Sequence, residues 1–208
     1  MCPRIIVFGR YPEPGRTKTR LIPLLGAKEA ATLQRKLTEQ VVSIVKLFSR
    51  SCNVSIEIRY DGGCADLMSQ WLGADLIYRN QAGVGLGDKM YKAFQDAFEE
   101  GCTRVIVVGT DILGMSEQVL EGALDCLAEH DLVLGPANDG GYYLLGLRAP
   151  QPELFQEISW GSREVLRKTV ELASQLGLSL GFVKALDDVD RPEDIQKLNL
   201  HEWRTWHE

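Results

Sequence analysis

The chain of 208 residues contains no apolar run near the ~18 residues that a membrane-crossing helix requires, so a membrane role is not expected. Histidine is scarce, with three in the whole sequence (His130, His201 and His207), all in helix-end or tail contexts. Cysteines number 5, an odd count, and none is spaced as a metal knuckle. Hydrolysis by a Ser-His or Cys-His arrangement and a zinc site of thiolates therefore have little to build on. Positive charge is also in short supply: the formal net charge of -6 repels polyanions and argues against nucleic acid as a partner. Free thiols and a start that leads straight into an apolar strand fit a reducing, cytoplasmic setting.

What is present is an ordinary globular composition, 45% hydrophobic and 25% charged. Short β-branched runs alternate with stretches of helical period. Strands are expected at 4–9, 54–59, 75–78, 104–109, 131–134, 142–147 and 179–185. Helices are expected at 28–49, 65–72, 88–100, from Ser116, at 162–176 and, short, from Pro192. Such alternation predicts a single-domain α/β fold with a mainly parallel sheet flanked by helices. The strand at Tyr142 follows its predecessor too closely for a helical crossover, so part of the sheet should be mixed.

Ligands of open α/β sheets bind beyond the carboxyl ends of the strands, and here polar residues collect at those ends. The first strand runs into a basic loop holding Arg10, Arg16, Lys18 and Arg20, with Pro12, Pro14 and Gly15 restricting its path. Guanidinium forks and an ammonium suit phosphate oxygens, although the Gly-x-x-x-x-Gly-Lys-Ser/Thr spacing of a P-loop is absent. Asp111 closes the fourth strand behind Gly109 and Thr110. Asp188 and Asp190 flank Val189 and face the same side of an extended segment. Close carboxylates repel unless a cation lies between them, and magnesium takes one or two carboxylates together with water and substrate phosphates. Asp190 also has the position of a cap for the helix at Pro192, and Asp194 the position of a group serving that helix's dipole.

Asp139-Gly140-Gly141 reads either as a turn or as backbone open to close approach by a ligand. The segment from Gly83 to Asp88 lacks dinucleotide-fingerprint spacing and reads as a loop beside the ligand, capped into its helix by Asp88. Trp160 stands either to stack on a substrate ring or to staple a helix start in the core.

Taken together, Val7-Phe8-Gly9-Arg10-x-Pro12-x-Pro14-Gly15-x-x-Lys18-Thr19-Arg20-Leu21, Leu86-Gly87-Asp88-x-Met90, Gly109-Thr110-Asp111, Gly135-Pro136-Ala137-x-Asp139-Gly140-Gly141-Tyr142-Tyr143-Leu144 and Asp188-Val189-Asp190-Arg191-Pro192-Glu193-Asp194 resemble a little-characterised bacterial family. Its members are described as nucleotide-diphospho-sugar transferases, or glycosyltransferases of the GT-A fold. The Lys18–Leu21 loop and the strand end at Asp111 are also similar to guanylyltransferases of deazaflavin cofactor biosynthesis. The resemblance implies a GT-A, Rossmann-like fold and a nucleotide or nucleotide-sugar with a small-molecule acceptor as partners. It implies that Lys18 and Arg20 neutralise phosphates, and that Asp111 with Asp188 or Asp190 holds Mg2+ or Mn2+. Gly87, Asp88 and Met90 would lie near the nucleotide. Asp139, Gly140 and Gly141 would line the acceptor side, Asp139 positioning the acceptor or acting as a base.

Two departures stand out: Arg10 replaces a commoner lysine, and Ile112-Leu113 replaces Ser-Pro after Asp111. Glycosyl transfer is the leading expectation and nucleotidyl transfer from a nucleoside triphosphate the second, although the Gly-x-Gly-x-Arg loop of nucleotidyltransferases is missing. A catalytically silent nucleotide-binding module is the third.

Overall fold

The strands alternate between two helix layers because their residues do. In β1 (Arg4–Arg10), Ile5 and Val7 enter the core on one face while Ile6 packs on the other, and all three are fully buried. Period-two alternation with apolar residues on both sides is what a covered, mainly parallel sheet requires. The computed structural model describes residues 2–198; His201 and His207 lie outside them.

The other strands of the main sheet are β2 (Ser55–Asp61), β3 (Ile77–Asn80), β4 (Val105–Gly109), β6 (Leu132–Pro136), β7 (Tyr142–Leu147) and β8 (Leu180–Phe182). They form a seven-stranded sheet in the order β3-β2-β1-β4-β7-β6-β8. β7 runs antiparallel between β4 and β6, while β1 is parallel to both β2 and β4. The expected α/β architecture with a mixed, mainly parallel sheet is therefore present.

One face is covered by α2 (Ala27–Ser51), α3 (Ala65–Leu72) and α5 (Glu117–Glu129), with Val41, Val45, Phe48, Leu120 and Leu127 in its core. The other is covered by α4 (Leu86–Glu99) and α6 (Val165–Gln175), through Phe94, Ala97 and Ala173. Each large apolar side chain so buried contributes roughly 1.5–3 kcal/mol. A four-residue helix, α1 (Ile22–Leu25), precedes α2.

Several boundaries move. β3 lies two residues later than expected, α6 begins at Val165 rather than 162, and β8 is shorter than 179–185. α4 starts at Leu86 with Gly85 at its cap position, so Asp88 sits within the first turn and does not cap. A second, two-stranded sheet joins β5 (Ile112–Leu113) to β9 (Asp187–Asp188), antiparallel, with Ile112 opposite Asp188. Two-residue strands carry no periodic signal, which is why the sequence shows neither. Among the described residues no helix is long and apolar enough to cross a membrane.

Candidate functional site

Two turns of chain, remote in sequence, are pinned to one small core. Leu21 and Val189 are both fully buried and pack with Leu33 and Leu37 of α2. With those apolar residues facing inward, their polar neighbours Lys18, Arg20, Asp188 and Asp190 all line a cleft at the carboxyl ends of the strands. The cleft encloses about 680 Å³, within the range of small-molecule sites.

Lys18 is its most constrained group. Its backbone takes the left-handed conformation (φ 48°, ψ 42°), rare for a residue with a side chain. It opens a 3-10 turn over Thr19–Leu21 that presents Arg20. The Lys18 side chain is 1% exposed; its Nζ donates to the Val189 carbonyl and lies 3.0 Å from Asp111 Oδ2. Strain of this kind persists only where surrounding contacts enforce it, and it collects at ligand sites.

Asp111 follows β4, and its side chain is 47% exposed toward the cleft. Its other oxygen accepts from Gln34 Nε2 at 3.0 Å, and Gln34 also reaches Thr110 Oγ1 at 3.2 Å. The Val189 amide donates to the Asp111 carbonyl at 2.8 Å, which seats the strand holding Asp188 directly beside Asp111. Asp190 pairs with Arg20. It is not the cap of the 3-10 helix Pro192–Lys197: Asp194 takes that role, accepting from the Arg191 amide at 2.8 Å and the Asp190 amide at 3.2 Å.

The basic and acidic residues thus share one cleft, but as ion pairs. Among the described residues no group of three or more His, Cys, Asp or Glu is gathered closely enough to hold a metal unaided. Any ion bound by Asp111 with Asp188 or Asp190 draws on water and ligand oxygens for the rest of its shell.

Other expected residues divide. Asp139, Gly141, Met90 and Trp160 line the cleft, and Asp139 accepts from the Gly141 amide at 2.8 Å, closing its turn. Gly140 does not line it; with φ 94° and the Arg163 carbonyl only 2.4 Å from where a Cβ would stand, it packs the turn against that loop. Gly15 also lies off the cleft, at a turn with φ 85°. Asp88 is exposed and outside the lining, because the early start of α4 turns it away. Arg10 also lines the cleft: its guanidinium holds Asp61 at 2.9 Å and the Arg16 carbonyl at 3.3 Å. Burial works against the Asp61 charge, yet Lys89 and Arg10 hold its carboxyl below the usual range.

Trp160 lies both in the cleft wall and against the core. Its ring stacks on Phe155 (6.4 Å between centroids, 17°) and meets Tyr142 edge-on. Gly87 is buried beneath it: a Cβ there would lie 2.4 Å from Trp160 Nε1 and 3.0 Å from the Phe155 carbonyl. Gly87→Ala is therefore expected to destabilise the fold by about 1–3 kcal/mol through overpacking and to displace Trp160. Thermal unfolding and the fluorescence of Trp160 would measure both, and an unchanged melting temperature would contradict the close approach.

Four residues in and behind the site escaped sequence reasoning. Gln34 and Thr38 form a polar pair one turn apart within the buried stripe of α2, a visible irregularity. Asp61 ends β2, and Gln81 follows β3; placing that strand two residues early hid Gln81 from the search for polar residues at strand ends.

The family model described as an uncharacterized protein conserved in bacteria (DUF2064) matches residues 44–162. A crystal structure from Desulfovibrio desulfuricans G20, provisionally described as a nucleotide-diphospho-sugar transferase, is 35% identical, with a TM-score of 0.84 over 92% of this chain and 84% of that one. The chain belongs to this family. Its fold is shared more widely. Glucosyl-3-phosphoglycerate synthase from Mycobacterium tuberculosis, solved with Mn2+, UDP and glucosyl-3-phosphoglycerate, aligns at TM-score 0.60 and 10% identity, over 94% of this chain and 75% of that one. The inositol-1-phosphate CTP transferase of T. maritima aligns at TM-score 0.59 and 15% identity, over 99% and 95%. No curated protein matches the sequence.

Proposed function

We propose that the protein is a metal-dependent transferase that uses a nucleoside-diphosphate sugar as donor. The observation that carries the reading is the convergence of Lys18 and Arg20 with Asp111, Asp188 and Asp190 in one cleft. Carboxylates are the donors a hard divalent cation prefers, and Asp111, the residue before β5, with Asp188 on its partner strand β9, is the set best suited to Mg2+ or Mn2+. When bound, the ion supplies positive charge for the diphosphate oxygens.

The chain's own residues supply the rest. Lys18, held in place by Val189 and Asp111, presents a fixed ammonium, and Arg20 adds a forked donor at the cleft mouth. Such groups act by being preorganised where the leaving diphosphate gathers charge. A smaller cavity of about 210 Å³ shares Arg20, Asp139, Asp188 and Asp190 with the main cleft and adds Arg163 and Arg191. It suits a small polar acceptor, with Asp139 as its positioning group.

Titration with UDP and GDP in the presence of Mn2+ tests this reading. Binding is expected, weakened at least about tenfold in Asp111→Asn, roughly 1.4 kcal/mol; equal affinity in the variant would remove the argument. Nucleotidyl transfer is the second reading, favoured by the shared fold of the CTP transferase. In an acceptor screen, release of a nucleoside diphosphate supports sugar transfer, and release of pyrophosphate supports nucleotidyl transfer.

A further inference from the structure

In the cleft wall formed by β1 and β2, Gln81 continues the line of β3 and its amide donates to the Tyr60 carbonyl at 2.9 Å. Its side-chain Nε2 donates to two main-chain carbonyls, Gly9 on β1 and Arg59 on β2, each at 3.1 Å. Two carbonyl partners leave no doubt about which end of the carboxamide is which: only the NH2 has hydrogens to give them. The oxygen, Oε1, is therefore locked facing elsewhere, and no donor among the described residues reaches it. Gln81 lines the cleft beside Arg10 and Asp61. The Arg10 guanidinium has five N–H groups, and its partners in the protein are Asp61 and the Arg16 carbonyl, so donors remain. Leu86, which also lines the cleft, is 45% exposed, apolar surface for the face of a flat ring.

The arrangement offers one fixed acceptor, adjacent donors and an apolar flank. The carboxamide bonds carbonyls of β1 and β2, and β4, whose end leads into Asp111, lies beyond β1, one to two strand spacings or roughly 5–10 Å across the sheet. That separation leaves room for a ribose between a base at Gln81 and phosphates at Lys18. We propose that the Gln81–Arg10 corner reads the lactam edge of a nucleobase, a ring N–H beside a C=O, which guanine and uracil carry and adenine and cytosine lack. Gln81 Oε1 accepts from the ring N–H, and Arg10 donates to the neighbouring carbonyl oxygen. Asp61 holds Arg10 in place and acts as a positioning residue. The inference rests on the nucleotide reading above and specifies the base.

The test is calorimetric binding of GDP, UDP, ADP, CDP and inorganic pyrophosphate to the full chain in Mg2+. GDP or UDP is expected to bind about tenfold or more tighter than ADP and CDP, and the tighter of the two identifies the base. Gln81→Leu is expected to bring the four nucleotides within about threefold of one another while pyrophosphate affinity stays within about twofold, which also shows that the variant is folded. Equal binding of all four nucleotides by the wild type, a preference for ADP or CDP, or a base preference retained in Gln81→Leu would overturn the inference. Failure of every nucleotide and of pyrophosphate to bind would instead overturn the nucleotide reading.

Discussion

Replacing Lys18 by methionine or glycine is expected to lower turnover by about 10²–10³-fold, the usual cost of removing one preorganised group that stabilises developing charge. The stability consequences separate the two variants. Both lose the hydrogen bond from Nζ to the buried Val189 carbonyl, which costs about 1–3 kcal/mol when no replacement donor exists. Lys18→Gly also removes the strain of a left-handed residue at φ 48°, worth about 1–2 kcal/mol, so its loss is largely offset. Lys18→Met keeps that strain. Glycine is therefore expected to melt a few degrees above methionine, at about 2–4 °C per kcal/mol for a chain of this size, with activity equally lost in both. A fully active Lys18→Gly would show that the ammonium is structural. A methionine variant more stable than the glycine variant would show that the backbone is not strained.

The second large effect comes from a buried ion-pair network on the sheet. Glu57 on β2 is fully buried and pairs with Arg59 and, at 3.0 Å, with Arg4; Arg79 lies 3.8 Å away. Arg59 in turn holds Asp96 at 2.8 Å, and Arg4 holds Glu100 at 2.6 Å. Removing one member of such a network leaves buried guanidinium charge uncompensated, which typically costs 3–5 kcal/mol, about as much as the loss of a large core side chain. Glu57→Leu is expected to destabilise by about that amount, measured by urea or thermal unfolding; a shift below about 1 kcal/mol would mean that the network is slack.

The same network sets the response to acid. Burial opposes ionisation of Asp96 and Glu100, yet hydrogen bonds from Lys92 and Arg59 to Asp96, and from Arg4 and Arg79 to Glu100, hold both carboxyls below their ordinary range. Native carboxylates that bind protons less readily than unfolded ones stabilise fully above the ordinary carboxylate range. They lose that contribution as the pH falls through their lowered values.

The layered fold was legible because its signals are local and repeated. β-branched runs buried on both faces, such as Val105–Val108, and the broad stripe of α2 report their own environment. The boundaries were less so: Gly85 rather than Asp88 opens α4, because glycine in extended backbone leaves the first amides to be met without a side-chain cap. Within the site, Lys18, Arg20, Asp111, Asp188 and Asp190 could be chosen because each belongs to a polar loop that follows an apolar strand. Asp88, Gly15 and Gly140 were chosen on the same kind of pattern and do not line the cleft, since a motif does not say which way its side chains turn.

By itself, then, the sequence determined the alternation of strands and helices, the antiparallel β7 and the set of charged loops at one edge, since these follow from periodicity, connection length and side-chain chemistry along the chain. Only the tertiary structure decided who meets whom. The pairing of β5 with β9, the seat of Lys18 between Asp111 and Val189, and the locking of Gln81 by carbonyls of two strands join residues 22 to 171 positions apart. Contacts at such separations arise from how the layers pack and leave no local periodicity to read.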